Sequence, residues 1–146
     1  QLCIRWLEDQ ISMNDTVLDY GCGSGILSII SKTLGAKKVI GIDNDHQALR
    51  NAERNKQLNS MEIDFFHTDN YQGSLKYDIV IANILLNTII GLKETLISSL
   101  NPNGILILTG ILKDQAIELI SAFSPEINLS IIEEQEGWLL FQGKNS

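Results

Sequence analysis

Three glycines and three aspartates stand at spacings that suit a nucleoside-bearing ligand: Asp19-Tyr20-Gly21-Cys22-Gly23-Ser24-Gly25, then Asp43, then Asp69. The glycine segment ends a short β-prone run, Thr16 to Tyr20, and leads into Ile26, Leu27, Ile29, Ile30 and Leu34, which recur at helical spacing until Gly35. A strand, a glycine turn and a helix are therefore predicted. In an open parallel sheet, ligands bind beyond the carboxyl ends of such strands. A side chain at Gly21 or Gly23 would block close backbone approach, and the amides at the following helix start offer donors to a polar ligand.

Two cofactor classes compete for this turn. The dinucleotide pattern Gly-x-Gly-x-x-Gly would put its third glycine at position 26, where this chain has Ile26, so the third glycine is one residue early. Asp19 would face a pyrophosphate unfavourably but suits the ammonium of a methionine moiety, which favours S-adenosylmethionine held over Gly21, Gly23 and Gly25. Asp43 lies 18 residues past Gly25 (43 − 25) and is assigned to both ribose hydroxyls; Asp69 is assigned to the adenine amino group, with Asn70 adding polar capacity. The competing reading is a structural glycine turn with aspartates that only cap helices.

These residues need elements to carry them. Leu2, Cys3, Trp6, Leu7 and Ile11 predict a helix over roughly residues 1 to 11, and Asn14-Asp15 a turn. Further strands are predicted at Lys38 to Ile42, Ile63 to His67, Tyr77 to Ile81 and Gly104 to Thr109. Helices are predicted through Ala48, Leu49, Ala52 and Leu58, through Leu92, Leu96, Ile97 and Leu100, and around Gln115 to Phe123. Asn101-Pro102-Asn103-Gly104 reads as a turn, and Leu129 to Ile132 with Trp138 to Phe141 as a closing hairpin through Glu136 and Gly137. Alternating strands and helices imply an α/β fold with a mostly parallel sheet covered on both faces, and the hairpin adds an antiparallel edge.

The 146 residues, 44% hydrophobic, suffice for one domain spanning 1–146 without disulfides or structural metal. A net charge of −7 disfavours nonspecific nucleic-acid binding and suits a basic or amine-bearing partner. Cys3 and Cys22 make no disulfide framework, and no apolar run reaches the ~18 residues that span a bilayer, so a cytosolic setting is expected. The chain starts at Gln1 inside a predicted helix, so upstream sequence is expected.

Gln1 to Glu8, Asp19 to Gly25, Gly35-Ala36-Lys37-Lys38-Val39, Gly41-Ile42-Asp43, Asn83-Ile84-Leu85 and Gly110-Ile111-Leu112 together resemble the methyltransferase family that modifies ribosomal protein L11. The resemblance implies the Rossmann-like, seven-stranded class I methyltransferase fold, S-adenosylmethionine as donor, and transfer to lysine side chains and an α-amine of a large-subunit ribosomal protein. It also implies a separate amino-terminal recognition domain and a threonine-containing loop upstream of Gln1, neither of which lies in this sequence. The segment after the fourth strand departs from the family: Leu86-Asn87-Thr88 follows Leu85 where a small residue and a proline are usual.

Methyl transfer is an in-line displacement, so a site mainly orients its reactants and excludes water; no metal is assigned. An ammonium has no lone pair, and an apolar pocket favours its deprotonation. Asn83, after the fourth predicted strand and near the expected methyl group, is the catalytic candidate and a cofactor neighbour: its side-chain oxygen and a carbonyl such as that of Ile84 would accept the amine hydrogens. Its alternative role is to cap a helix beginning near Leu86. His46 and His67 lack metal-ligand spacing and receive no role; Trp6 and Trp138 read as packing residues that could border a pocket; Glu133, Glu134 and Glu136 read as a solvated turn. Rival functions are a methyltransferase for a small amine, a nucleic-acid base or another protein, a nicotinamide-dependent oxidoreductase, and an inactive cofactor-binding module. Ile84-Leu85-Leu86 supplies neither the prolines nor the aromatic residue expected of base-modifying enzymes.

Overall fold

In the computed structural model, which describes residues 2–146, β1 (Thr16–Tyr20) is paired in parallel along both edges, with β2 (Lys38–Asp43) on one side and β4 (Tyr77–Asn83) on the other. A strand covered at both edges and on both faces must be apolar in both directions, and Val17 and Leu18 are fully buried although they point to opposite faces. Beyond β2 lies β3 (Asp64–His67), and beyond β4 lies β5 (Leu100–Leu112), both parallel. The hairpin of β6 (Ser130–Gln135) and β7 (Trp138–Lys144) pairs antiparallel onto β5, so the seven strands run β3-β2-β1-β4-β5-β7-β6.

The period-two alternation of the strands divides the core in two. Val17, Val39, Ile79, Ile81 and Ile107 face α1 (Leu2–Gln10) and α2 (Ile26–Thr33). Leu18, Ile40, Val80, Ala82, Leu106 and Leu108 face α4 (Leu86–Gly91), α5 (Lys93–Ser98) and α6 (Ala116–Phe123). α3 (His46–Leu58) lies beside α2, its buried Ala52 against Gly25. α1 buries Leu2, Cys3, Trp6 and Leu7 along one stripe, and the Trp6 indole donates to Gln142 Oε1 of β7 at 2.9 Å, which anchors the helix across the sheet.

Several boundaries differ from the expectation. The helix predicted through Leu100 divides into α4 and α5, and Leu100 opens β5 instead, opposite Tyr77. Asn101 to Gly104, predicted as a turn, falls within the span of β5 yet loops out of its pairing with β4, which jumps from Tyr77–Leu100 to Ile79–Ile105. Asn103 has φ +63°, and the loop is tied down by the Asn103 amide donating to the Asn145 carbonyl and the Asn145 amide to the Gly104 carbonyl. β4 extends two residues past Ile81 because Ala82 and Asn83 find partners in Leu108 and Thr109. β7 continues to Lys144 by the same mechanism, pairing with Ile105.

The α1 stripe carries a test. Leu7→Ala empties a fully buried site and is expected to cost about 2–4 kcal/mol in urea unfolding; a loss below ~0.5 kcal/mol would mean that α1 frays from the sheet.

Candidate functional site

The glycine turn is fixed by the neighbouring strand. The amides of Gly21 and Cys22 both donate to the Ile42 carbonyl at 2.7 and 2.9 Å, and the Gly25 amide closes the turn onto the Cys22 carbonyl at 2.9 Å before α2 begins. All three glycines have positive φ. Gly23 is the informative one: a Cβ built there meets nothing within 4 Å, so a side chain would project into open space above the turn. Gly21 instead packs beneath Ile84 Cγ2, which a Cβ would approach to 2.6 Å, and Gly25 packs against Phe65 and Ala52.

Asp43, at the end of β2, is held from two sides. Its Oδ2 accepts from the Gly23 amide at 2.8 Å and its Oδ1 from the Asp45 amide at 2.9 Å, leaving each oxygen further acceptor capacity toward the space above Gly23. That space is a cleft of about 760 Å³ bordered by Tyr20, Gly21, Gly23, Asp43, Thr68 and Asn83 among others. Asp45 also reaches the lining and caps α3 by accepting from the Gln47 amide. Sequence reasoning omitted Asp45 and Thr68, because short polar residues after strands look the same whether they cap helices or face a ligand.

Asn83 ends β4 with its side chain exposed, and no hydrogen bond among the described residues engages its amide. It does not cap α4: Leu85 occupies that position, without a side-chain bond. Beside it stands Gly110 of β5, with φ +87°; a Cβ at Gly110 would lie 2.9 Å from the Ile84 carbonyl oxygen and 3.2 Å from Asn83 Oδ1. Both oxygens thus lie against Gly110, too close to admit a side chain there, and Asn83, Ile84 and Gly110 all border the cleft. Sequence reasoning quoted Gly110 for its resemblance but did not place it in the site; a glycine within an apolar strand run was the available signal.

The other candidates separate. Asp19 points to the α2 face of β1, 2% exposed, where it accepts from Ser28 Oγ at 2.7 Å; it lies beneath the turn and outside the cleft lining. Burial drives its carboxyl up to about 6, with the Ser28 hydrogen bond opposing. Burial and the Asp19 and Asp43 carboxylates likewise push the Cys22 thiol up, so it packs as a neutral group. Asp69 is at the surface, its side chain 86% exposed and 3.5 Å from His67 Nδ1, while the preceding Thr68 faces the cleft. His67 stacks on His46 with centroids 4.1 Å apart and meets the Asn44 carbonyl at 3.0 Å, and neither ring lines the cleft. Glu133 and Glu134 lie in β6, not in a turn, and pair with Arg5 at 2.7 Å and Lys113 at 3.6 Å.

A seven-stranded sheet in the order 3-2-1-4-5-7-6, with a glycine turn after β1 and an acid after β2, defines the class I methyltransferase fold. The family model for ribosomal protein L11 methyltransferase (PrmA) matches residues 1–146, and the chain belongs to that family. The ribosomal protein L11 methyltransferases of Cupriavidus metallidurans and Chromobacterium violaceum are each 41% identical over 143 residues; 98% of this chain aligns with 47% and 48% of theirs. The chain therefore spans about half the length of the curated relatives it matches. The crystal structure of a ribosomal protein L11 methylase from Lactobacillus delbrueckii subsp. bulgaricus superposes with a TM-score of 0.91 at 29% identity, covering 99% of this chain and 78% of that one. A methyltransferase from Pyrococcus furiosus, 15% identical with a TM-score of 0.83 over 96% of this chain and 79% of its own, shares the fold.

The buried Asp19 sets a pH dependence. Its folded-state carboxyl ionises near 6 rather than near 3.8, so its stabilising contribution is fully present below the unfolded value and is lost as pH rises through about 6. Asp19→Asn removes this term: the variant is expected to be the more stable protein at pH 8, and its advantage to shrink by about 1–2 kcal/mol at pH 5. Parallel unfolding curves for the two proteins across that range would contradict the assignment.

Proposed function

We propose that this chain is the catalytic part of an S-adenosylmethionine-dependent N-methyltransferase whose acceptors are amines, lysine side chains and an α-amine, of ribosomal protein L11. The observation that carries the reading is the pair of oxygens, Asn83 Oδ1 and the Ile84 carbonyl, brought together against Gly110 at the edge of the cleft. Family membership supplies the reaction class.

The cleft fits the cofactor. Gly23 leaves open space above the turn, and the Asp43 carboxylate, oriented by two amides, suits two adjacent ribose hydroxyls. Thr68, on the lining, suits the adenine edge in place of the surface Asp69. Asp19 acts from below, as a buried negative group under the turn that favours a cationic methionine ammonium above it. Bound there, S-adenosylmethionine would supply an activated methyl for a new N–C bond to the amine, with its thioether as the leaving group and water as the acceptor of the amine's proton.

This chain's residues orient and dehydrate. Asn83 Oδ1 and the Ile84 carbonyl accept the two hydrogens of a neutral amine, which aims its lone pair away from them. Ile84 packs over Gly21 and so ties the acceptor oxygens to the glycine turn. The exposed apolar side chains of Leu85 and Trp138 lower the local polarity and favour the uncharged amine. The net charge of −7 suits a basic protein partner and disfavours nucleic acid, and two free cysteines suit a cytosolic setting. No described helix is long and apolar enough to cross a membrane.

Calorimetric titration with S-adenosylhomocysteine, S-adenosylmethionine and NAD tests the cofactor. Selective binding of the two sulfur nucleosides, weakened roughly 10- to 100-fold by Asp43→Ala, is expected; preference for NAD would overturn the reading. Asn83→Ala is expected to retain S-adenosylhomocysteine affinity within about twofold and to lower kcat on ribosomal protein L11 about 10²-fold in the protein as its gene encodes it. An unchanged kcat would remove Asn83 from the chemistry.

A further inference from the structure

Three hollows meet at one place on the carboxyl edge of the sheet. The cofactor cleft, a second cavity of about 390 Å³ between the starts of α1 and α2 and the hairpin tip, and a surface groove of about 220 Å³ along α4 share two residues, Gly110 and Trp138. The groove is lined by Leu85, Leu86, Asn87, Leu112 and Gln115, and its inner end is Gly110, the residue beside the two acceptor oxygens.

Trp138 is built into this junction rigidly. It opens β7 and pairs with Leu112 of β5 on one side and Gln135 of β6 on the other, and the Lys113 amide donates to the adjacent Gly137 carbonyl at 3.1 Å. Its indole is nonetheless 44% exposed, and its N–H makes no hydrogen bond among the described residues. Trp6, in contrast, is buried and bonded to Gln142. A backbone held from both sides with a ring left standing in three cavities is the arrangement of a wall, not of a packing residue. Leu85, 73% exposed, and Leu112, 39% exposed, continue that wall outward, and the groove lining carries no charged side chain.

We propose that Trp138 is a positioning residue for the acceptor: the groove along Leu85, Asn87 and Leu112 receives an amine-bearing side chain, and the indole guides its nitrogen to Asn83 and Ile84. The chemistry fits a lysine-like group. An aliphatic stem lies against Leu85 and Leu112, and an ammonium is attracted to an indole face before it loses its proton in the apolar interior. The proposal rests on the methyltransferase reading above and deepens it.

The test uses the protein as its gene encodes it. Trp138→Ala is expected to raise KM for ribosomal protein L11 roughly 5- to 30-fold with kcat less affected, Trp138→Phe to recover most of that loss, and both to bind S-adenosylhomocysteine within about twofold of the parent. An unchanged KM, a Phe variant as poor as Ala, or a parallel loss of S-adenosylhomocysteine binding would each overturn it. A readout without turnover separates this idea from the one beneath it. The indole N–H resonance of Trp138, assigned by its absence in Trp138→Phe, is expected to shift when Nα-acetyl-lysine amide is added to the S-adenosylhomocysteine complex. No shift overturns the positioning role, whereas a shift in a protein that methylates no ribosomal protein leaves the role intact and removes only the acceptor's identity.

Discussion

The Ile42 carbonyl accepts two successive amides, Gly21 and Cys22, and this double bond joins the end of β2 to the turn after β1. Parallel pairing of β1 with β2 brings the two strand ends level, and the turn then has one place to go. Asp43 follows Ile42 directly, so the same register that satisfies the turn also puts a carboxylate under the Gly23 amide. A one-residue slip of β2 would exchange the faces of Val39 and Ile40, both buried, and would remove Asp43 from the turn at the same time. Core packing and ligand geometry are therefore enforced by one register.

The second strand pair positions Asn83 and Gly110 as the first positions the glycine turn and Asp43. β4 and β5 pair through Asn83 and Thr109, which puts Gly110 next to Asn83 and the Ile84 carbonyl. Ile84 lies over Gly21 in turn, so the two halves of the site touch through one side chain and one missing Cβ. Rigidity of this kind suits a reaction whose barrier is lowered by alignment more than by acid or base.

Charge is managed by depth. Asp19 is buried under the turn with Ser28 as its hydrogen-bond donor, a costly arrangement that leaves its carboxyl easier to protonate than usual. Asp43 is above the turn, partly exposed and doubly hydrogen-bonded. The acidic residues of β6 pair at the surface with Arg5 of α1 and with Lys113. The apolar side chains of Leu85, Leu112 and Trp138 are left partly uncovered beside Gly110.

The sequence by itself determined the fold class, the glycine turn, the carboxylate after β2 and the asparagine after β4. All of these follow from local periodicity and from residues that terminate strands, which short-range sterics and hydrogen bonding dictate. Only the tertiary structure decided what those residues face. Asp19 and Asp43 look alike in sequence, but strand alternation turns one into the core and the register of β2 presents the other to the cleft. Asn101 to Gly104 turns as its residues dictate, but only the fold shows that the turn interrupts one strand and is held by Asn145. Gly110 and Trp138 acquire their positions from contacts between β4, β5 and β7, strands far apart in the chain, and no local pattern encodes such a meeting.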